Sequence, residues 1–83
     1  MTEVAVTERR LSIGEISRRL GLPVRTVARL FEDEALICVR DRGWRQAYES
    51  QIDYIAAALN ACRPGSIAGF AREWAAQRTA VAS

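Results

Sequence analysis

The stretch from Ser12 to Arg45 constrains the fold of this 83-residue chain more than any other part of the sequence. It opens with Ser-Ile-Gly-Glu at 12–15, a capping box in which the Ser hydroxyl accepts a first-turn N–H and the Glu reaches back to the cap residue. Apolar residues then recur at helical spacing, at Ile13, Ile16 and Leu20. Gly21 provides a left-handed helix end, and Pro23 prevents the helix from continuing. The sequence therefore predicts a short helix that stops at a tight turn.

A second helix and a hairpin follow this turn without a gap. The helix is predicted from Val24 to about Asp33. Its inward stripe is Val27, Leu30 and Phe31. The segments 36–40 and 44–47 favour two strands, and Asp-Arg-Gly at 41–43 favours a turn between them. Two helices followed by such a hairpin form the layout of a winged helix-turn-helix.

Two further helices are predicted after the hairpin. Ser50 begins a second capping signature, which opens a helix to about Ala61. The inward stripe of that helix is Ile52, Ile55, Ala56 and Leu59. Arg-Pro-Gly at 63–65 breaks it, and Ser66 caps a last helix. The apolar face of the last helix is Ile67, Phe70, Ala71 and Trp74. The predicted fold is mainly α with a small β-hairpin, about four helices plus a two-stranded wing.

The chain is expected to form one domain, because 83 residues with 49% apolar content suffice for a single core. We expect a flexible N-terminus at 1–10, a winged helix-turn-helix domain at 11–62, an amphipathic C-terminal helix at 66–78 and a loose tail at 79–83. No apolar run approaches the roughly 20 residues that cross a membrane. The first residues carry acid instead of the basic start of a signal peptide. A soluble, cytoplasmic protein is therefore expected.

Few residues of this sequence are suited to bond chemistry. There is no His, no Gly-rich phosphate loop, and no Ser or Cys beside a plausible base. Cys38 and Cys62 lie far apart and outside any Cys-x-x-Cys pattern, so no metal site is expected. We expect two buried or half-buried reduced thiols, with a disulfide as the alternative. The sequence predicts neither an enzyme nor a cofactor.

Every cation of the chain is an arginine. The formal net charge of +2 is weak evidence for a polyanionic partner, because many domains are as basic. Twelve Arg and no Lys can reflect codon usage in a GC-rich genome, or a use for planar, bidentate contacts to phosphate and guanine. Position is more informative than number, since nine of the twelve precede Gln46.

Three groups of side chains are candidates for contact with DNA. The second helix of a helix-turn-helix enters the major groove, and a wing contacts the backbone or the minor groove. The second helix presents Val24, Arg25, Thr26 and Arg29. The wing presents Arg40, Arg42 and Arg45. The first helix presents Arg18 and Arg19, which are the weaker candidates. Ordinary solvated surface is the alternative for each group.

The segment from Leu11 to Leu59 resembles a known family. The matching motifs are Leu-Gly-x-x-x-Arg-Thr-Val at 20–27 and Arg-x-x-Gly-Trp-Arg at 40–45. They are similar to the excisionase-type winged helix-turn-helix, which is related to the DNA-binding domain of MerR-type regulators. Two positions depart from the pattern. Glu34 stands where the family commonly has a Gly that closes the second helix, and Pro23 stands where it commonly has a Ser or Thr cap.

The resemblance implies a phage or plasmid excisionase, also called a recombination directionality factor. Such proteins bind direct repeats beside an attachment site on double-stranded DNA and associate cooperatively there. They bend the DNA and help a tyrosine integrase to assemble the excisive complex. They catalyse no bond chemistry themselves. The expected partners are therefore DNA, further copies of the chain and an integrase.

Alternatives stand beside this interpretation. One alternative function is a small MerR-like transcription regulator, and the other is an interaction module that binds no DNA. Trp44 is expected to pack under the wing, with a DNA-intercalating wedge as the alternative. Phe70 and Trp74 belong to the core if the last helix folds onto the domain, and otherwise form a partner contact.

Overall fold

The computed structural model describes the backbone of residues 9–82 and the side chains of residues 9–40 and 42–78. The elements are β1 (Arg10–Ser12), α1 (Ile13–Leu20), α2 (Val24–Glu32), β2 (Val39–Asp41), β3 (Trp44–Tyr48), α3 (Glu49–Asn60) and α4 (Ile67–Ala82). Four helices and a small antiparallel sheet confirm the predicted mainly helical fold with a hairpin. The predicted flexible N-terminus lies outside the described residues up to position 8, whereas Arg10 already belongs to β1.

The capping box at the start of α1 is formed as predicted. The Glu15 backbone N–H donates to the Ser12 hydroxyl at 3.4 Å, and the Ser12 N–H donates to the Glu15 carboxylate at 3.0 Å. The latter bond is the main reason that the pKa of Glu15 lies below its ordinary value. Gly21, with φ of 67°, ends α1 in the left-handed conformation. The first predicted helix and its turn are confirmed.

Helix α2 ends with a left-handed residue that is not glycine. Glu34 has φ of 61°. Its backbone N–H donates to the Phe31 carbonyl at 3.0 Å, and the Ala35 N–H donates to the Leu30 carbonyl at 3.0 Å. These two bonds form a Schellman motif, in which Gly is the usual left-handed residue. Glu34 therefore occupies the left-handed position where Gly is usual. At the start of α2, Pro23 leaves the helix without the side-chain cap that a Ser or Thr provides.

The predicted two-stranded hairpin is formed by β2 and β3, and it is part of a three-stranded sheet because β1, a strand that was not predicted, pairs with β3. The strand order is β1-β3-β2, and both pairings are antiparallel. Strand β1 pairs Leu11 with Ala47. The β2–β3 connection places Arg42 at φ of 54° and Gly43 at φ of 86°, the two left-handed residues of a type I′ turn. The sheet ties the hairpin to the start of α1.

The core collects residues from all four helices and from the sheet. Its members are Leu11, Ile16, Val27, Leu30, Phe31, Ala35, Leu36, Ala47, Ile52, Ile55, Ala58, Phe70 and Ala71. The inward stripe predicted for α3 is partly wrong, because Leu59 is 39% exposed and Ala58 is buried instead. The Ser50 cap is also wrong, since α3 begins at Glu49 behind Tyr48. A strand that runs directly into a helix leaves no room for a capping residue at 50.

The last helix folds onto the domain. Phe70 is only 4% exposed, so the tentative assignment of Phe70 to a partner contact is wrong. The Ser66 cap is confirmed, because its hydroxyl accepts the Gly69 N–H at 3.0 Å. Helix α4 continues to Ala82, beyond the predicted end at Arg78, so most of the predicted loose tail at 79–83 is helical.

A fully buried Gln51 connects α3 with α4 and with the segment that follows α2. Its side-chain oxygen accepts the Ile37 N–H at 3.1 Å. Its side-chain NH₂ donates to the carbonyls of Ala35, at 3.3 Å, and Ala71, at 3.0 Å. Because a buried amide is costly unless its polar atoms are paired, these three bonds make Gln51 compatible with the core.

Polar and aromatic side chains complete the contact between α4 and the rest of the domain. The Tyr54 hydroxyl donates to the Glu73 carboxylate, which also lies 3.0 Å from the Arg63 guanidinium. The Trp74 ring lies 6.4 Å from the Tyr48 ring, centroid to centroid. Trp74 is half-buried against the domain, so the first of the two arrangements that the sequence left open, a last helix that folds onto the domain, is the one observed.

Candidate nucleic-acid interface

The outer face of α2 carries two exposed arginines. Val27, Leu30 and Phe31 turn one side of the helix into the core, and helical spacing leaves Arg25 and Arg29 on the opposite side. These arginines are four residues apart and lie along the same face. Together with Glu32 they line a shallow depression in the surface.

The N-terminal end of α2 contributes the other candidates on this helix. Val24 is 54% exposed, and Thr26 is half-buried. No side chain caps this end, so the positive end of the α2 dipole faces the surroundings. The Thr26 N–H donates to the Pro23 carbonyl at 2.9 Å, which leaves the N–H groups of Val24 and Arg25 as the uncapped donors of the first turn. Arg25, Thr26 and Arg29 therefore line one depression, whereas Val24 lines the groove beside the hairpin.

The β2–β3 hairpin brings three further arginines together. Arg42 is exposed at the turn, Arg40 is exposed on β2, and Arg45 is half-buried on β3. Arg40 and Arg45 are direct partners in the antiparallel register, so their side chains share one face of the hairpin. Arg40 also donates to the Gly43 carbonyl across the turn, at 3.4 Å.

These arginines differ from Arg19 and Arg63 in their partners. Within the described residues, ion pairs are formed by Arg19 and Arg63, and none involves Arg25, Arg29 or the three hairpin arginines. The guanidinium groups on α2 and on the hairpin therefore keep their donors available for an external anion. Like charges placed opposite each other cost stability, and a bound phosphate relieves that cost.

The contacts of Arg19 indicate a structural role for this residue, instead of the DNA contact that was predicted for it on the first helix. It lies 2.7 Å from Glu49 and 2.9 Å from Asp53, both on α3. The hydrogen bond to Glu49 raises the pKa of Arg19 above its ordinary value. The two carboxylates compete with phosphate for its donors, so we place Arg19 among the contacts that hold α1 against α3. Arg18, the other candidate on α1, is exposed.

The exposure of Trp44 is the property of this surface that differs most from the prediction. We expected its ring to pack under the wing, but 75% of the residue is exposed. Strand alternation explains this, because Ala47 and Arg45 share one face of β3 and Trp44 lies on the other. Trp44 borders a mainly apolar groove between the hairpin and the starts of α1 and α2, which Ile13 and Val24 also line.

No family model matches this chain, and no curated protein and no solved structure is significantly similar to it.

Three acidic residues mark the end of α2 that is farthest from its uncapped start. Glu32, Asp33 and Glu34 are all exposed. Arg72 of α4 donates to the Asp33 carbonyl at 3.5 Å, at the end of the helix where a cation is favourable. An anionic polymer is therefore attracted to the start and middle of α2 and repelled from its end, which gives the surface a polarity.

In the range that the structure describes, no group of three His, Cys, Asp or Glu residues is arranged to hold a metal ion. Cys38 and Cys62 are free and exposed, so the expectation of buried or half-buried thiols is wrong. Among the described helices none has the length and apolar character required to span a membrane.

Proposed function

We propose that this chain binds double-stranded DNA as a winged helix-turn-helix, with α2 in the major groove and the β2–β3 hairpin as the wing. The observation that carries the proposal is the set of five arginines on α2 and the hairpin that have no ionic partner within the described residues. They are Arg25, Arg29, Arg40, Arg42 and Arg45. A helix and a hairpin that both carry cations are the two elements with which a winged helix-turn-helix contacts the major groove and the adjoining backbone.

The two parts of the surface have different proposed roles. Arg25 and Arg29 are placed to read base edges, because a guanidinium forms two hydrogen bonds with guanine O6 and N7 in the major groove. The hairpin arginines neutralise backbone phosphates and fix the orientation of the protein. Val24 and Thr26 at the start of α2 are proposed to contact a thymine methyl group or a phosphate, and Arg18 a flanking phosphate.

In its finer form, the proposal is that the chain acts as an excisionase in the cytoplasm of a bacterial host cell. Several copies bind direct repeats beside an attachment site and bend the DNA, and a tyrosine integrase then assembles the excisive complex. Bending costs a few kcal/mol, which contacts between neighbouring copies and with the integrase offset. The chain catalyses no reaction itself and uses no cofactor. The motifs at 20–27 and 40–45 support this form of the proposal.

A MerR-like transcription regulator is the second candidate. Regulators of that type commonly place a dimerisation helix after the wing. Here α4 packs back onto its own domain, with Phe70 in the core and Trp74 against Tyr48. The packing of α4 therefore favours the excisionase over the regulator. A non-DNA interaction module is less well supported, because Phe70 is not available as a partner contact.

A mobility-shift titration against salt concentration tests DNA binding directly. We expect the logarithm of the association constant to fall linearly with the logarithm of the salt concentration, with a slope set by the number of neutralised phosphates. Saturable binding that is independent of salt contradicts the proposed cationic interface, and no binding at all favours an interaction module.

The excisionase form needs a second experiment. Footprinting on an attachment region should show protection of adjacent direct repeats, and permuted fragments should show a bend. Addition of the chain to a tyrosine integrase should then raise excision and not integration. Protection of a promoter with no effect on recombination supports the regulator instead.

A further inference from the structure

The groove between the hairpin and the starts of α1 and α2 is the feature that the arginine contacts leave unexplained. Its walls are Ile13 from α1, Val24 from α2, and Trp44 and Arg45 from β3. Trp44 and Val24 are two of the three large apolar residues that the described surface exposes. Two such residues beside one another on a mainly apolar groove form a patch that is unfavourable in water without an occupant.

The position of this groove on the proposed complex indicates what fills it. A helix in the major groove and a wing at the adjacent minor groove lie on either side of one sugar-phosphate strand, since that strand separates the two grooves. The gap between α2 and the wing is the gap that Val24 and Trp44 border. On a duplex bound in this way, the dividing strand runs through the gap.

The chemistry of the groove agrees with that occupant. Its floor is apolar, which suits the C–H faces of deoxyribose. Its rim carries the half-buried Arg45 and the uncapped start of α2, and none of the lining side chains that the structure describes is acidic. The donors at the rim match phosphate oxygens. A strand that alternates sugar with phosphate meets both requirements, whereas an apolar helix of a second copy leaves the cationic rim without a partner.

We infer that this groove holds one sugar-phosphate strand of the bound duplex, with Trp44 packed on deoxyribose, Val24 forming the opposite wall and Arg45 on the adjoining phosphate. The inference rests on the proposed DNA-binding function. It makes Trp44 a residue that contacts the DNA backbone. It assigns no base contact to the tryptophan, so Trp44 contributes affinity for all sequences alike.

The fluorescence of Trp44 reports directly on the occupancy of the groove once the second tryptophan, Trp74, is replaced. Trp74→Phe retains an aromatic ring against Tyr48 and leaves Trp44 as the only indole. We expect its emission to move to shorter wavelength when a mixed-sequence duplex binds, because the ring leaves water. Strong quenching together with a bend that Trp44→Ala abolishes shows stacking between bases and overturns the inference.

The remaining outcomes separate this inference from the function on which it rests. Mobility shift with no change in Trp44 emission overturns the groove assignment alone. A change that depends on protein concentration without DNA shows that a second copy fills the groove, and also overturns it. Absence of any mobility shift overturns the proposed function and the inference together.

Substitutions give an independent test. Trp44→Ala should lower affinity about tenfold for every sequence, the size of one lost aromatic contact. It should leave the salt slope unchanged, because no charge is removed. The thermal midpoint should also be unchanged, since the ring is exposed in the free protein. A reduced salt slope, or an affinity equal to that of the parent chain, contradicts the inference.

The opposite wall of the groove provides a matched pair. Val24→Glu and Val24→Gln introduce side chains of similar size at the first residue of α2, and only the former adds a negative charge. If a phosphate lies in the groove, Val24→Glu weakens binding far more than Val24→Gln. Equal affinities of the two variants show that no phosphate is near and overturn the assignment.

Discussion

Arg40 of β2 lies directly opposite Arg45 of β3 in the antiparallel register of the hairpin. Like charges in this position destabilise an isolated hairpin, because the two side chains share a face. A fold selected for stability alone gains from a different residue at either position. The pair therefore connects the stability of the free protein with its affinity for an anion, and the two properties should respond to substitution in opposite directions.

Arg40→Thr should stabilise the free protein and weaken its binding to DNA. Relief of the cross-strand repulsion is worth about 0.2–1 kcal/mol in the free energy of unfolding. Loss of one phosphate contact should reduce the salt slope of binding by about 0.9. Urea denaturation and mobility shift against salt measure the two effects. Arg40→Lys is the control, because it retains the charge and should show neither effect, and a fall in stability with Arg40→Thr contradicts the argument.

The elements that the sequence predicted correctly are those with local signals. The cap at Ser12, the stop at Gly21 and the apolar stripe of α2 each depend on residues within about one or two helical turns. The type I′ turn at Arg42-Gly43 is equally local. Such signals survive because neighbouring residues determine capping, helix termination and turn type before any tertiary contact forms.

The parts that the sequence did not predict depend on distant partners. Strand β1 is three residues long and exists because it pairs with β3, with Arg10 opposite Tyr48. The exposure of Trp44 follows from which face of β3 the sheet turns toward the helices. The burial of Gln51 requires α4 and the segment after α2 to meet around it. Periodicity within a single segment contains none of this information.

Gln51→Leu should lower the free energy of unfolding by about 2–4 kcal/mol. The leucine fills similar space, but the Ile37 N–H and the Ala35 and Ala71 carbonyls lose their partner inside the core. Each unsatisfied buried group costs about 1–3 kcal/mol, and part of this is recovered from the greater apolarity of leucine. Urea denaturation monitored by circular dichroism measures the change.

Gln77→Leu is the matched control for that substitution. Gln77 is exposed and donates to the Tyr54 hydroxyl at 3.4 Å, so its replacement should change stability by less than about 0.5 kcal/mol. If the two variants are equally stable, the three hydrogen bonds of Gln51 do not contribute as described.

Glu34→Gly should stabilise the protein, although most glycine substitutions do the reverse. Glu34 occupies the left-handed region at φ of 61°, where a side chain costs about 1 kcal/mol that glycine avoids. The substitution also removes an acid from the negative end of α2. Glu32→Gly removes an acid two residues earlier, at the last residue of α2, where the backbone is helical and glycine adds conformational entropy to the unfolded chain without relieving strain, so it should destabilise the protein. Thermal midpoints of the two variants should therefore move in opposite directions, and a shift of both in one direction excludes backbone strain at Glu34.

Stability should fall in acid partly through Glu73. The hydrogen bond from the Tyr54 hydroxyl, and then the Arg63 guanidinium, hold the pKa of Glu73 below its ordinary value of 4.5. A lowered folded-state pKa contributes stability that is complete above the unfolded-state pKa and is lost as pH falls through the folded-state value. Urea midpoints measured from neutral pH down to below 4.5 should thus decline less steeply for Glu73→Gln than for the parent chain. An unchanged pH profile shows that the Glu73 contacts do not persist in solution.

Arg25→Ala, Arg29→Ala and Arg42→Asn should separate sequence reading from backbone contact. Loss of a bidentate guanine contact costs about 1–3 kcal/mol at one base pair, so the two α2 variants should relax discrimination at specific positions of a preferred site.

Arg42→Asn retains the type I′ turn, because Asn tolerates the left-handed conformation that Arg42 adopts at φ of 54°. It should weaken binding to all sequences alike and reduce the salt slope by about 0.9. Selection of bound sequences from a random duplex pool, followed by salt titration on the preferred site, measures both effects. Unchanged discrimination in both α2 variants places α2 outside the major groove, and a loss confined to one base pair in Arg42→Asn contradicts the backbone role of the hairpin.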